Sequence, residues 1–356
     1  MGSSPVSPPD PRRETVKGPW EERDGVLRYR TRGGVDLYRL PVRLFPELDG
    51  YVYLIVADSH RILVDAGSGL PESLADLRQG FETLRSRYGC PVGPADLTAI
   101  LITHGHIDHF GGLSALRAET AAPVFIHELD RRVLTNYPER LITVAREIRA
   151  FLAQAGLSLE RQSALLSLYL SMKSMFSSTS VEGLLAEGES LFGILQVIHT
   201  PGHCPGQVCL RLDEVLLTSD HVLAHTTPHQ APERITRYTG LGHYLESLRR
   251  TAALPGIALA FGGHEDPILD LYGRVAAIEA FHRQRLERVL EICREPRTIA
   301  EISRALFGRQ YGYGVLLALL EAGAHVEYLY DRGYLQVVNL DQLEQEPEAP
   351  IRYRRL

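Results

Sequence analysis

The chain has 356 residues, is 44% hydrophobic and 23% charged, and carries a formal net charge of −6. A net acidic chain has no global attraction to nucleic acid or anionic membranes, and no apolar run approaches the roughly 20 residues that span a bilayer. Cys90, Cys204, Cys209 and Cys293 form no CxxC pair, which fits reduced thiols in a cytoplasmic protein, with Cys204 as a small packing residue.

In chain order, residues 1–22 are rich in Pro, Ser and charge and lack the apolar centre of a signal peptide, so a flexible leader is expected. Gly34 to Leu44, Tyr51 to Val56 and Arg61 to Asp65 read as strands, with a turn at Pro46 to Gly50. Leu74, Leu77, Phe81 and Leu84 recur at helical spacing within Pro71 to Tyr88. The apolar run Ala99 to Ile102 then delivers Thr103-His104-Gly105-His106-Ile107-Asp108-His109. Imidazole and carboxylate side chains this dense are ligand chemistry for zinc and similar divalent ions. A helix is expected near Gly111, then a short strand from Pro123 to Ile126, with His127 as a structural histidine.

From about 130 to 187 the pattern turns helical, with expected helices at Glu147 to Ala155 and Leu159 to Phe176. The second is unusually apolar, and a lid, a partner interface such as a homodimer contact, and an extra packing layer are three open uses for it. Strands return at Leu195 to His199, before His203, and in the hairpin that ends at Asp220. His221, His225 and His229 follow in a loop, either exposed or lining a pocket. After a helix at Leu241 to Leu254, the strand Ile257 to Phe261 leads to His264. Apolar runs that end repeatedly in His or Asp suggest one sheet edge lined with metal ligands. Beyond Arg274, helices at Val275 to Cys293, after a Thr298–Glu301 capping box, and at Val315 to Tyr330 precede a strand at Tyr334 to Val338.

His104-x-His106-x-Asp108-His109 resembles the signature of the metallo-β-lactamase superfamily of hydrolases, and Asp65, His203, Asp220 and His264 stand in order where that family places its other site residues. Ser219 stands where many relatives have Gly. The resemblance implies an α/β fold, an αββα sandwich over residues 23–273 with the helical insertion inside it. The C-terminal pattern, 274–356, resembles the small winged-helix domain of a hydroxyacylglutathione-hydrolase-like subgroup that includes a mitochondrial endoribonuclease. The superfamily resemblance also implies two divalent ions, zinc first with iron or manganese as alternatives. One would be held by His104, His106 and His203, the other by Asp108, His109 and His264, with Asp220 bridging. A hydroxide shared by the two ions would attack the substrate. Asp65 is expected to orient a histidine ring from behind.

The favoured activity is hydrolysis of a small thioester, ester or lactone, with Met175, Phe176, His225 and His229 as candidate substrate contacts. A metal-dependent endoribonuclease is the alternative, although the chain holds only Lys17 and Lys173, and from Phe281 onward 11 Arg face 11 acidic residues, a poor match to a basic nucleic-acid surface. A non-catalytic metal-binding protein is the third option, and a complete ligand set argues against it.

Overall fold

The computed structural model describes residues 17–173, 176–346 and 349–356. Two sheets stack face to face. The first runs, in spatial order, β1 (Glu21–Arg23), β2 (Val26–Arg30), β3 (Asp36–Phe45), β4 (Leu48–Ala57), β5 (His60–Val64), β6 (Ala99–Leu101), β7 (Val124–His127) and β8 (Gly183–Leu185). Neighbours are antiparallel as far as β5 and parallel from there to β8. Parallel neighbours need crossovers. These are α1 (Pro71–Tyr88), then α2 (Ile107–Phe110) with α3 (Leu113–Leu116), then α4 (Glu128–Thr135), α5 (Tyr137–Gln154) and α6 (Leu159–Lys173). The second sheet is ordered β13-β12-β11-β10-β9, from β9 (Ser190–Leu191), β10 (Leu195–His199), β11 (Val208–Leu212), β12 (Val215–Ser219) and β13 (Leu259–Gly262), with α7 (Leu241–Ala252) crossing from β12 to β13.

Side-chain alternation sets the layers. On β4, Tyr53 and Ile55 face the second sheet, whereas Val52 and Leu54 face Leu77, Phe81 and Leu84 of α1. On β12, Val215 and Leu217 face the first sheet, and Leu216 packs under Leu241, Tyr244 and Leu248 of α7. The result is a helix–sheet–sheet–helix sandwich. Pro71 opens α1 at its first turn, and Gly89 ends it in the left-handed conformation, φ 63°.

The remaining elements are α8 (Leu271–Ile292), α9 (Ile299–Phe307), α10 (Tyr313–Asp331), β14 (Leu335–Val337), α11 (Leu340–Gln345) and β15 (Tyr353–Arg355), with β14 and β15 paired antiparallel. Asp270 caps α8, so this helix starts before Arg274.

Several expectations shift. The strand β1 begins within the expected leader, most of which lies outside the described residues. β1 reads Glu-Glu-Arg and sits at a sheet edge, so it carries no apolar alternation to betray it. The stretch 130–187 is not purely helical, since β8 completes the first sheet there. Its helix α5 begins ten residues earlier than Glu147, at Tyr137. The apolar faces of α5 and α6 form one core with the C-terminal helices: Phe151, Leu152 and Leu166 pack with Ile302, Leu316 and Leu319. Of the three uses open for the insertion, packing accounts for that apolar surface.

Candidate metal centre

The strand ends meet at one edge of the sandwich. Asp65 follows β5, the His104–His109 loop follows β6, His203 follows β10, Asp220 follows β12 and His264 follows β13. Backbone bonds fasten these loops together: Asp65 N–H to the Leu101 carbonyl at 2.8 Å, Ala66 N–H to the His109 carbonyl at 2.7 Å and Gly263 N–H to the Ser219 carbonyl at 2.9 Å.

Two clusters result, His104, His106, His203 with Asp220, and Asp108, His109, His264 with Asp220; within each, one ligand-type atom per residue lies within 4.8 Å of the others. His106 Nδ1 is 3.0 Å from both His104 Nε2 and His203 Nε2. The opposite ring nitrogens are already committed. His203 Nδ1 donates to the His229 carbonyl at 2.8 Å, His264 Nδ1 to the Asp49 carbonyl at 2.8 Å, and His109 Nδ1 to Asp65 Oδ2 at 2.8 Å. His104 Nδ1 faces the Thr103 hydroxyl at 3.2 Å, which leaves its Nε2 as a lone pair. Three imidazole nitrogens gathered at this spacing suit ligands around one cation. Asp220 makes the link between clusters: Oδ1 is 3.5 Å from His109 Nε2, and Oδ2 is 3.5 Å from His264 Nε2 and 3.7 Å from His203 Nε2. These separations exceed hydrogen-bond length and suit ligands around a common ion. His109 Nε2 and Asp220 Oδ1 are buried with no hydrogen-bond partner among the described residues. The donor set therefore fits divalent metal.

The two clusters differ in charge: the first-cluster histidines are held neutral, while in the second cluster carboxylates outweigh burial and keep His109 and His264 cationic, the charge a bound cation would replace. Burial, reinforced by neighbouring imidazoles, holds His104 and His106 neutral, and burial does the same for His203 against the pull of Asp220. At His264 burial is outweighed by Asp220 and Asp108, which raise it to about 10. Asp108 and Asp220 in turn stay ionised despite burial, because His109 and His264 face them.

Around this cluster, Asp65 accepts from the Thr103 N–H at 2.8 Å, besides His109. Ser219 adopts the left-handed conformation, φ 46°, which explains why glycine suits this position. Its hydroxyl meets that of Thr103 at 2.7 Å. Asp130, on α4, accepts the Gly105 N–H at 2.8 Å and the Cys204 thiol at 3.2 Å, tying the two histidine loops together.

The candidate substrate contacts fare unevenly. Met175 lies outside the described residues. Phe176 packs on Tyr137 and lines a cavity of about 130 Å³ with Phe110 and Leu113, beside the metal-type cluster. His225 pairs with Asp266 at 2.8 Å. His229 contributes its carbonyl to His203, while its ring reaches the Leu317 carbonyl at 2.9 Å. His221 is buried against Thr251, not exposed. His127 caps α4 and stacks on His199 at 3.9 Å. Asp130, through the Gly105 N–H, and Glu321, through the Gln230 N–H, support the site unforeseen by the sequence, since each comes from a helix outside the signature.

A two-sheet sandwich that gathers this His/Asp set at one edge defines a metal-dependent hydrolase. The chain belongs to the metallo-beta-lactamase superfamily, whose family model matches residues 46–264. It is 24% identical to the probable metallo-hydrolase YqjP of Bacillus subtilis, over 79% of this chain and 88% of that protein. It is 24% identical to an atrochrysone carboxyl ACP thioesterase of Aspergillus fumigatus, over 72% and 68% respectively. A metallo-beta-lactamase family protein from Thermus thermophilus shares the architecture with a TM-score of 0.72 and 29% identity, covering 90% of this chain and 98% of that one. Among the described residues no helix is long and apolar enough to cross a membrane.

Proposed function

We propose that this chain hydrolyses an acyl substrate, a thioester first and an ester or lactone after it, at a centre of two divalent ions. The observation that carries the proposal is the sharing of Asp220 by two four-residue clusters. His104, His106, His203 and Asp220 would hold one ion, and Asp108, His109, His264 and Asp220 the other. Bound there, such ions bring the pKa of water toward about 7 and polarise an acyl oxygen. The chain's own residues do the rest. Asp65 and the carbonyls of His229 and Asp49 fix which ring nitrogen each histidine presents. Asp108 and Asp220, both ionised, are the candidate catalytic carboxylates and would orient the attacking water.

The thioester preference draws support from the thioesterase among the relatives and from the charge balance. A nuclease must neutralise a run of phosphates, whereas this chain is net acidic at −6 and from Phe281 onward its 11 Arg are balanced by 11 acidic residues. Zinc is the favoured ion, with iron or manganese as alternatives. The four free cysteines suit a reducing cytoplasm. We further infer that α8 to α10 with the β14–β15 hairpin act as a winged-helix-like unit whose task is to wall the site. Assaying metal-reconstituted protein on an N-acetylcysteamine thioester and on single-stranded RNA tests the proposal: thioester turnover supports it, and RNA cleavage alone overturns it.

A further inference from the structure

Lys173 ends α6. A lysine at a helix end ordinarily extends into water, yet this one is half-buried. Its carbonyl accepts the Tyr137 hydroxyl at 2.9 Å, and the Tyr137 ring lies 5.8 Å from that of Phe110. Phe110 closes α2, the short helix that carries Asp108 and His109, so the end of α6 is pinned over the metal-type cluster. The ammonium lies 5.6 Å from the Tyr169 ring centroid. Among the described residues it has no ion-pair partner, while its charge is felt by Asp108, His106 and Cys204. Tyr137 and Tyr169 thus hold the end of α6 beside α2.

An ammonium withdrawn from water without a counter-ion is costly. Asp108 offers partial compensation, but a metal ion at the second cluster would claim that carboxylate. We propose that Lys173 is the receptor for a carboxylate on the acyl part of the substrate, so that the preferred substrates are thioesters of dicarboxylic acids. Tyr169, whose ring lies beside the ammonium, would flank that carboxylate. A carrier phosphate is the competing anion, but it lies at the far end of the pantetheine arm from the thioester, whereas Lys173 stands beside the cluster where the thioester would react. The proposal rests on the thioester function given above.

The test compares glutaryl- and pentanoyl-N-acetylcysteamine, which lack phosphate and differ by one carboxylate, on zinc-loaded wild type, Lys173→Met and Lys173→Arg. A charge-assisted contact of this kind is worth about tenfold or more. Wild type should favour the glutaryl thioester in kcat/KM by about that factor, Lys173→Met should erase the preference chiefly through KM, and Lys173→Arg should restore most of it. Calorimetry with free glutarate supplies a readout without turnover: Lys173→Met should weaken binding by about tenfold. Turnover of both thioesters at a ratio unchanged in Lys173→Met overturns the receptor and leaves the thioesterase standing. Lys173-dependent glutarate binding without turnover of either thioester leaves a carboxylate site at Lys173 but overturns both the thioesterase and the dicarboxylic thioester preference. Failure of both measurements removes both.

Discussion

The Glu321 carboxylate accepts the backbone N–H of Gln230 at 2.7 Å, across 91 residues of sequence. Gln230 follows His229, whose carbonyl holds His203 Nδ1, so α10 reaches the metal-type cluster through one loop. Arg285 of α8 pairs with the same carboxylate, and burial is outweighed there by His325, His229 and Arg285, which keep Glu321 ionised at about 2. Glu321→Ala should strand Arg285 and lower stability by about 2 kcal/mol. It should also weaken metal binding by about tenfold, the usual cost of losing an outer partner of a ligand. Metal competition titrations check this. Glu321→Gln, which keeps an acceptor for Gln230, should recover most of the affinity.

Asp65→Asn replaces the acceptor facing His109 Nδ1 with an amide that can donate. With the amide oxygen kept on the Thr103 N–H, the NH2 faces the ring, which then carries its proton on Nε2, the atom turned toward Asp220. Metal affinity at the second cluster should fall by about 10- to 100-fold, read by titrating a chelator against loaded protein. Unchanged affinity would show that Asp65 does not set the tautomer.

Gly206 and Gly105 cradle Asp130. A Cβ at Gly206 would lie 2.7 Å from Asp130 Cγ and 3.0 Å from its backbone nitrogen. Gly206→Ala should therefore push apart the loops bearing His106 and His203 and cost about 2 kcal/mol. Thermal melts of chelated protein measure this, and a melting point equal to wild type would show that the cradle yields freely.

His127 is held down to about 4 by burial and by His199. Its folded pKa lies below the unfolded value near 6.5, so as pH falls from about 6.5 to 4 the unfolded chain takes up the proton and the folded one does not. The histidine thus costs stability in that window, by about 1.4 kcal/mol per pH unit. Asn keeps a cap acceptor for the Leu129 N–H. His127→Asn should flatten the acid limb of the stability curve by that slope, and an identical slope would place the titration elsewhere.

Much of the sandwich was legible because its strands are short apolar runs ended by Gly, Pro, His or Asp, as at Arg61–Asp65 and Ala99–His104. The metal-type residues were legible because His and Asp cluster in turns directly after those strands. The edge strand β1 and the short β8 carry too little alternation to be seen. Asp130 and Glu321 reach the site's loops by tertiary packing of helices, and nothing local to them marks it. His229 was visible as a residue, but it serves through its backbone carbonyl, which no side-chain pattern reveals.

The most direct measurement follows thioester hydrolysis while zinc is titrated into chelated protein, with bound metal determined by elemental analysis at each point. Activity should be negligible without metal, reach its plateau at about two ions per chain, and stay at background in Asp220→Ala at any zinc concentration. Hydrolysis that survives chelation, or a plateau at one ion with the second never taken up, would contradict the shared centre built on Asp220.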